Sequence, residues 1–404
     1  MPTYTIPQDF NNLQAALDSA LPGDVVVTDS SNLTSESYYV FTDQLTVDSN
    51  PAPGDLVRVD TFILGSDIAE FTLTGDGITR VVDNPGDTTL AFGDGRTFVE
   101  QAAGQNIIDF GGGDDQFYGT TRSMSMIDMG DGDDRYTAVG GQDTVQGGEG
   151  RDTLDFVRAQ SGVSISLVDA GPQALGTGTL VASGFENIRD SRFDDAFIGS
   201  GRDNSFELSG GSDTVIALGG DDSLSAQIAS GDRVTFLAGA GDDFIRAEGD
   251  GDLRALGGAG NDTISSFADA DTLIGGAGRD IIEFGSSRDV IFGADVDGLG
   301  DGERDVFVWQ SLETGSDRSV IRDFEQGTDL ISLDLQSPRG GTVGTQGHYD
   351  FIGSAAFSGT AAEVRASTVG AWTLVQIDQD GDGTADGELL LDGSITPTAD
   401  DFLL

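Results

Sequence analysis

A large apolar residue recurs every nine residues within three runs of this 404-residue chain, each time two positions after an aspartate or asparagine. With further copies between and beyond the runs, these positions are Phe117, Tyr136, Val145, Leu154, Phe197, Phe206, Val215, Leu224, Ile245, Ile264, Leu273, Ile282, Ile291 and Phe307. One inward side chain per nine residues predicts a strand of three residues, whose two flanking side chains point outward. The pattern therefore predicts an all-β region built from many short strands.

A glycine-rich turn precedes these strands, and the whole unit reads G-G-x-G-x-D-x-U-x, where U is the large apolar residue. Three copies match without departure: GGEGRDTLD at 147–155, GGAGNDTIS at 257–265 and GGAGRDIIE at 275–283. Glycine adopts positive φ and allows close backbone approach, so we expect the glycines to form the turn. Two units then make one flattened coil, with a strand on each side and a turn at each edge.

Because two units make a coil, each aspartate should stack on the one two repeats later. The expected pairs are Asp262 with Asp280, Asp271 with Asp289, Asp134 with Asp152, Asp195 with Asp213, and Asn204 with Asp222. Each edge would then offer carboxylates and turn carbonyls from two coils, an all-oxygen cage that suits Ca²⁺ at roughly 2.3–2.6 Å. With no cysteine and a single histidine in the chain, the repeats offer no ligands for zinc or copper.

The candidate calcium ligands are therefore the repeat aspartates and the turn glycines. The side-chain candidates are Asp115, Asp134, Asp143, Asp152, Asp195, Asn204, Asp213, Asp222, Asp243, Asp262, Asp271, Asp280 and Asp289. The turn candidates are Gly147, Gly148, Gly150, Gly257, Gly258, Gly260, Gly275, Gly276 and Gly278.

The charge of the chain supports a cation as part of the folded state. The formal net charge is −50, and all 20 basic residues are arginine. Such a chain repels itself when compact, and it lacks the basic face that binds nucleic acid. Binding to an anionic membrane surface and lysine-based catalysis are equally unexpected. Adaptation to high salt is the alternative reading, but here aspartate dominates and keeps phase with glycine.

The repeats resemble the RTX family of glycine-rich calcium-binding proteins, which bacterial type I systems export. The resemblance covers most of residues 103–310 and implies a right-handed parallel β-roll that folds when it binds calcium outside the cell. A metal-free glycine-rich solenoid is the alternative, although stacked unpaired aspartates make it costly. Residues 156–194 interrupt the repeats, and we interpret them as coils without calcium.

The C-terminal region, 311–404, resembles the domain that follows the repeats in serralysin-type proteins. The resemblance begins just before this region, with RDVFVWQSLETGSDRSVIRDFEQGTDLISLDL from residue 304, and continues to the final DFLL. It implies a cap on the roll and a type I secretion signal. Asp378, Asp380 and Asp382 form a D-x-D-x-D-G loop there, but position 12 is Leu389 and not the glutamate of an EF-hand. Calcium closed by Glu388 or Asp386 and a plain acidic hairpin both remain open for this loop.

The N-terminal region, 1–102, begins with an amphipathic helix that carries Phe10, Leu13, Ala16 and Leu17 on one face and stops before Pro22. It resembles the opening of pectate-lyase-like β-helix proteins, where such a helix plugs the first coil. The expected fold is thus all-β: a right-handed parallel β-roll or β-helix solenoid with a short N-terminal capping helix and a C-terminal β cap domain. No apolar stretch reaches 18 residues, so we expect no membrane insertion.

Catalytic signatures are few. The single histidine, His348, excludes the H-E-x-x-H helix of a zinc protease, and no G-x-S-x-G elbow with a plausible histidine partner is present. Carboxylates alone can hydrolyse glycosides, so an enzyme acting on extracellular polysaccharide stays open, with Tyr38, Tyr39 and Arg58 as weak candidates.

We favour a secreted structural protein that self-assembles with calcium at the cell surface or in the extracellular matrix, as a surface-layer or filament subunit. Its expected partners are copies of itself, bridged in part by calcium, and the type I secretion machinery. The alternative is an extracellular polysaccharide-acting enzyme or a glycan-binding adhesin module, with cell-surface polysaccharide as partner.

Overall fold

The computed structural model describes residues 3–5, 13–22, 25–28, 37–40, 45–49, 59–64, 70–74, 78–82, 86–100, 103–176, 178–285, 288–294, 300–310, 318–333 and 349–404. The chain divides into two compact units, Met1–Arg192 and Phe193–Leu404. Both consist almost entirely of strands, in agreement with the expected all-β parallel solenoid.

The first unit contains one helix and nineteen of the described strands. In chain order they are β1 (Thr3–Thr5), α1 (Leu13–Ser19), β2 (Val25–Thr28), β3 (Ser37–Val40), β4 (Leu45–Ser49), β5 (Val59–Leu64), β6 (Glu70–Thr74), β7 (Ile78–Val82), β8 (Thr89–Phe92), β9 (Thr97–Glu100), β10 (Ile107–Asp109), β11 (Gln116–Tyr118), β12 (Met126–Asp128), β13 (Arg135–Thr137), β14 (Gln142–Gln146), β15 (Thr153–Asp155), β16 (Ser164–Ser166), β17 (Gln173–Leu175), β18 (Gly178–Ser183) and β19 (Asn187–Arg189).

Most strands of the first unit pair in parallel with the strand two places along the chain, as a coil of two repeats requires. For example, β11 pairs with β13 so that Phe117 faces Tyr136, and β13 pairs with β15 so that Tyr136 faces Leu154. The same parallel pairing joins β8 to β10 and β9 to β11, on either side of residue 102. Within the interruption at 156–194, β17 and β18 instead form an antiparallel pair.

The helix α1 agrees with the amphipathic pattern. Leu13, Ala16 and Leu17 are buried, while Phe10 lies outside the described residues. The helix contacts β2 and β3. It ends at Ser19, three residues before the proline that was expected to stop it.

The strands of the second unit follow the same alternation. In chain order they are β20 (Ala196–Ser200), β21 (Ser205–Ser209), β22 (Thr214–Gly219), β23 (Ser223–Ile228), β24 (Arg233–Ala240), β25 (Phe244–Gly249), β26 (Asp252–Ala259), β27 (Thr263–Phe267), β28 (Thr272–Ala277), β29 (Ile281–Phe284), β30 (Val290–Phe292), β31 (Val306–Trp309), β32 (Val320–Ile321), β33 (Leu330–Ser332), β34 (Asp350–Phe351), β35 (Glu363–Val369), β36 (Trp372–Asp378), β37 (Gly387–Asp392) and β38 (Phe402–Leu403).

Strand length differs from the expectation of three residues. That length is right for β11, β13 and β15, but β20 to β28 are five to eight residues long. The extra length arises because turn residues join the ladder: in β26 and β28, Gly258 pairs with Gly276 and Ala259 with Ala277. A second inward position follows the first in these strands, and it often holds alanine, as at Ala217 and Ala247.

The end of the chain changes to antiparallel pairing. Strands β35, β36 and β37 form two antiparallel pairs, and β37 joins the parallel ladder through β32. The last strand, β38, pairs in parallel with β33, so that Ile331 faces Phe402. The final residues are thereby part of the sheet, with Asp401 and Phe402 buried.

The core consists of the recurring apolar residues. All fourteen positions named from the sequence, from Phe117 to Phe307, have exposed fractions of 0 or 1%. Aromatic rings stack along the coil axis at some of them, as between Phe117 and Tyr136, whose centroids are 5.5 Å apart. The nine-residue period therefore identified the inward face correctly.

Candidate metal centre

The glycine turn at 257–262 has little room for any side chain. Gly258 and Gly260 have φ values of +118° and +139°, which L side chains rarely adopt. A Cβ on Gly258 would also collide with the carbonyl oxygen of Gly239 in the preceding coil. The first glycine, Gly257, serves another purpose, because a Cβ there would collide with Oδ2 of Asp262. The turn thus lets two coils approach and leaves space beside the carboxylate.

The repeat aspartates that follow these turns form a hydrogen-bonded ladder, which we call the inner row. It comprises Asp115, Asp134 and Asp152 in the first unit and Asn204, Asp222, Asp243, Asp262 and Asp280 in the second. Oδ1 of each aspartate accepts the backbone N–H of the equivalent residue one coil earlier, as from Asp134 to Asp152 (2.9 Å) and from Asp262 to Asp280 (2.8 Å). The ladder continues beyond the residues named from the sequence, from Asp280 to Asp305 and from Asp305 to Asp329.

All five expected pairs are brought together by this kind of bond. The other three are Asn204 N–H to Asp222 (2.6 Å), Asp195 N–H to Asp213 (2.9 Å) and Asp271 N–H to Asp289 (3.0 Å). The pairing of repeats two apart is therefore correct, and the contact is a backbone-to-carboxylate hydrogen bond.

The second oxygen of the inner-row carboxylates has no hydrogen-bond partner. This is true of Oδ2 in seven aspartates: Asp115, Asp134, Asp152, Asp222, Asp243, Asp262 and Asp280. Each of these residues is at most 2% exposed, and none forms a salt bridge with an arginine of the described chain. Buried carboxylates without partners are costly, so their regular repetition indicates a missing cationic partner.

The electrostatics of the inner row agree with that conclusion. Burial, reinforced by the neighbouring carboxylates, raises the pKa of Asp115 to about 9 and that of Asp280 to about 7. Burial raises the pKa of Asp262 to about 6. A divalent cation beside these oxygens would favour the ionised form and remove the mutual repulsion.

The residues fit a calcium ion in chemistry as well as in charge. Beside Gly257, Oδ2 of Asp262 and the carbonyl oxygen of Gly275 converge on one point; beside Gly275, Oδ2 of Asp280 and the carbonyl of Gly293 do the same. Hard oxygen donors of this kind hold Ca²⁺. The ion would supply positive charge that joins adjacent coils, while the chain supplies the carboxylates, the turn carbonyls and the space left by glycine.

Three of the aspartates named from the sequence have both carboxylate oxygens hydrogen-bonded. Oδ2 of Asp143 lies 2.6 Å from the Tyr136 hydroxyl, Oδ2 of Asp271 accepts from Ser266 at 2.6 Å, and Oδ2 of Asp289 is 3.2 Å from Oγ of Ser319. These aspartates lie on the coil edge opposite the inner row.

The C-terminal loop brings Asp378, Asp380 and Asp382 together, with one carboxylate oxygen of each within 4.8 Å of the others. Asp378 is buried and accepts the backbone N–H groups of Gly381 and Gly383, each at 2.8 Å. The loop can therefore form through its own hydrogen bonds.

Both residues suggested to close that loop make other contacts. Oδ2 of Asp386 accepts the N–H groups of Gln379 and Asp380, and Glu388 pairs with Gln376 and Arg318.

A second row of carboxylates was missed in the sequence. We call it the outer row: Asp114 and Asp133 in the first unit, and Asp203, Asp221, Asp242 and Asn261 in the second. These exposed side chains each accept the N–H of the equivalent residue one coil later, as from Asp133 to Asp114 (3.1 Å) and from Asp242 to Asp221 (2.9 Å). The signal for four of them was the paired Asp-Asp in GGGDD, GDGDD, GGDD and GAGDD, and the other two stand in the pairs Asp203-Asn204 and Asn261-Asp262.

The structure does not describe the side chains of the weak catalytic candidates Tyr38, Tyr39 and Arg58. Arg58 and His348 lie outside the described residues, as do the side chains of Tyr38 and Tyr39. No helix of the described chain is both long and apolar enough to cross a membrane.

Comparison with known proteins places the repeats in a family. No curated protein sequence is significantly similar to the chain. The family model for the RTX calcium-binding nonapeptide repeat matches four copies, at residues 130–156, 191–226 and 254–282. Those ranges contain most of the inner row, and such repeats are typical of secreted calcium-binding proteins. The chain therefore carries RTX calcium-binding nonapeptide repeats on a parallel β-solenoid, and it binds Ca²⁺ at multiple sites.

Proposed function

We propose that this is a secreted structural protein that self-assembles outside the cell when calcium is present. The observation that carries the proposal is the outer row, a line of exposed carboxylates on successive coils in each unit. Adjacent coils in a solenoid are about 4.8 Å apart, so the row presents closely spaced like charges. Two such rows on different molecules repel each other until a divalent cation bridges them.

The outer row is separate from the buried sites. Its carboxylates are exposed and point to solvent, whereas the inner-row oxygens are buried between coils. Calcium would thus act twice: buried ions fold each coil, and further, weaker ions would join molecules. Sites of the second kind suit extracellular calcium, which is in the millimolar range of weak modules.

The remainder of the proposal concerns export. The C-terminal region resembles that of serralysin-type proteins, and we infer that it carries the type I secretion signal and caps the solenoid. The parallel pairing of β38 with β33 supports the capping role, because it uses the edge of a strand that would otherwise be open.

The experiment compares the wild type with a variant in which Asp114, Asp133, Asp203, Asp221 and Asp242 are all changed to Asn. Asparagine already occupies this row at Asn261, where its Oδ1 accepts the N–H of Arg279 at 3.1 Å. The variant should therefore keep the fold and the buried calcium while losing the surface charge.

In 5–10 mM calcium, a range set by roughly millimolar weak sites, we expect wild type to form assemblies visible by light scattering and negative-stain electron microscopy. The variant with all five substitutions should stay monomeric. A wild type that folds with calcium yet stays monomeric would contradict the proposal, as would a variant that assembles equally well.

A second candidate function, binding of an acidic polysaccharide, is favoured by a cluster that we call the arginine face. It consists of Arg80, Arg96, Arg135, Arg158 and Arg189, on or beside the outward side of β7, β9, β13 and β19. Two of these arginines lie over aromatic rings, Arg96 over Phe98 (5.0 Å) and Arg158 over Tyr118 (4.9 Å).

The arginine face is positive on a chain of net charge −50. Among the described outward residues of β7, β9, β11, β13, β15 and β19, the acids are Glu100, paired with Arg80, and Asp155, near Arg135 and Arg189. Guanidinium groups bind carboxylates in bidentate geometry, so the expected ligand is a polymer of uronic acid.

We expect the double variant Arg135→Gln, Arg158→Gln to weaken binding of a soluble polyuronate at least tenfold, measured by affinity electrophoresis. Arg233→Gln, which removes an exposed arginine paired with Asp252 in the second unit, should leave binding unchanged. The second candidate would be contradicted if the polyuronate retarded the double variant and Arg233→Gln equally. It would also be contradicted if a neutral glucan retarded the wild type as strongly as the polyuronate does.

A further inference from the structure

Two aspartates on the coil edge opposite the inner row, Asp143 and Asp271, differ from the inner row in chemistry. Both aspartates stand in phase with the calcium-binding repeats, and both are buried. Their Oδ1 atoms accept backbone N–H groups from the preceding coil, Ser125 to Asp143 (2.8 Å) and Leu253 to Asp271 (2.7 Å). In this respect they match the inner row.

The second oxygen separates them from the inner row. Oδ2 of Asp271 accepts a hydrogen bond from Ser266. In the repeat, Ser266 stands where Gly257 and Gly275 stand, at the first turn position. Those glycines leave open space beside the carboxylates of Asp262 and Asp280, whereas the serine fills the equivalent space with a hydroxyl group 2.6 Å from the carboxylate.

The second oxygen of Asp143 is also hydrogen-bonded to a hydroxyl group, but the hydroxyl comes from a different position of the repeat. The Tyr136 hydroxyl donates to its Oδ2 at 2.6 Å, and Oγ of Ser123 lies 2.7 Å from the same oxygen. Tyr136 is one of the recurring apolar positions, on β13, and its buried ring extends through the coil to the opposite edge. The same position holds phenylalanine at Phe117 in the coil before, which has no hydroxyl.

We propose that Asp143 and Asp271 bind no calcium, because the hydroxyl groups of Tyr136 and Ser266 take the place of the ion. The two turns that carry these aspartates are then built without metal. Asp195 and Asp213, on the same edge, differ from them: one carboxylate oxygen of each lies within 4.8 Å of the other and of one oxygen of Asp190, a buried group that could hold an ion. The turn of Asp271 agrees: residues 266–271, Ser-Phe-Ala-Asp-Ala-Asp, contain no glycine, so this turn lacks the close carbonyl approach found at 257–262. The chain would hold fewer ions than its repeat aspartates suggest.

The test measures bound calcium per chain by equilibrium dialysis and atomic emission, in wild type and four variants. Asp271→Asn and Asp143→Asn keep the Oδ1 acceptor, and the new amide can hydrogen-bond to the same hydroxyl groups. We expect both to bind as many ions as wild type. Asp280→Asn and Asp134→Asn are the matched controls on the inner row, and each should lose at least one ion.

A loss of calcium in Asp271→Asn or Asp143→Asn equal to that in the controls would overturn the proposal. Should either variant fail to fold, Ser266→Ala and Tyr136→Phe give the same information from the hydroxyl side. Each should melt at a lower temperature than wild type in saturating calcium while binding the same number of ions. A smaller number of ions in these hydroxyl variants would show that the hydroxyl and its aspartate are joint ligands, which also overturns the proposal.

Discussion

Removing calcium with a chelator at pH 7.5 is expected to abolish most of the β-sheet signal in far-ultraviolet circular dichroism. Seven buried aspartates have an oxygen without a partner, and each uncompensated buried charge costs several kcal/mol. A typical domain is stable by only about 5–15 kcal/mol. Two or three such charges would already offset that stability, so the metal-free chain should not keep its coils at neutral pH.

The controls for this experiment separate calcium from general screening of charge. Magnesium at the same concentration should restore little structure, because it demands near-octahedral geometry and keeps its waters. Sodium chloride at about 1 M shortens the Debye length to about 3 Å, yet it should not refold the chain, since the unpartnered oxygens are buried. Refolding in sodium chloride alone would support adaptation to high salt and contradict the calcium account.

The pKa values also predict how the stability of the metal-free fold changes with pH. In the metal-free fold, the pKa values of Asp115, Asp222, Asp262 and Asp280 are raised from 3.8 to between about 6 and 9. Between pH 3.8 and these raised values, the folded state binds more protons than the unfolded state. The stability of the fold therefore falls as the pH rises through that range. Chelated protein at pH 5.5 should recover part of the β signal that it lacks at pH 7.5. A weaker signal at pH 5.5 would contradict the burial of uncompensated carboxylates.

Changing Gly276 to alanine is expected to lower the free energy of unfolding in saturating calcium by about 3 kcal/mol or more. Two costs add. Gly276 has φ of +120°, and a Cβ there would collide with the backbone carbonyl oxygen of Gly258 in the preceding coil. Since the colliding atom is backbone, relief requires β26 and β28 to separate, which breaks ladder hydrogen bonds as well. Urea unfolding at fixed free calcium measures the change by linear extrapolation.

Gly370→Ala is the matched control for Gly276→Ala. Gly370 also has a positive φ, +68°, but no atom lies within 4 Å of the position that its Cβ would take. It lies in the turn between β35 and β36, and the conformational cost alone should be about 1 kcal/mol. Equal losses at the two positions would mean that contact between coils contributes nothing, and the account of the glycine turn would be wrong.

Much of the fold followed from residues that repeat locally. The apolar period identified the buried positions from Phe117 to Phe307, and the nine-residue interval of the aspartates identified which coils stack, as Asp262 on Asp280. Both worked because a solenoid makes each residue's neighbours predictable from its position in the repeat. Strand length could not be predicted from the repeat, because whether Gly258 joins a ladder depends on the backbone of the next coil.

The calcium ligands were predictable only in part. The sequence supplied the aspartates and the glycines as candidates, and it rightly favoured calcium. It treated Asp271 and Asp280 alike, because both stand in the same phase of the repeat. It also overlooked the outer row at Asp114 and Asp133, whose N–H acceptor role depends on the direction in which the side chain turns at the edge.

The sequence by itself determined the period, the stacking of coils, the need for glycine in the turns and the choice of calcium, because all four depend on residue types at fixed spacing. Only the tertiary structure decided which carboxylate oxygens have partners. Tyr136 reaches Asp143 through the core from another strand, and the seven inner-row oxygens have no such hydroxyl group beside them. The availability of an oxygen for an ion is fixed by what the surrounding coils place against it, and repeat spacing does not encode that contact.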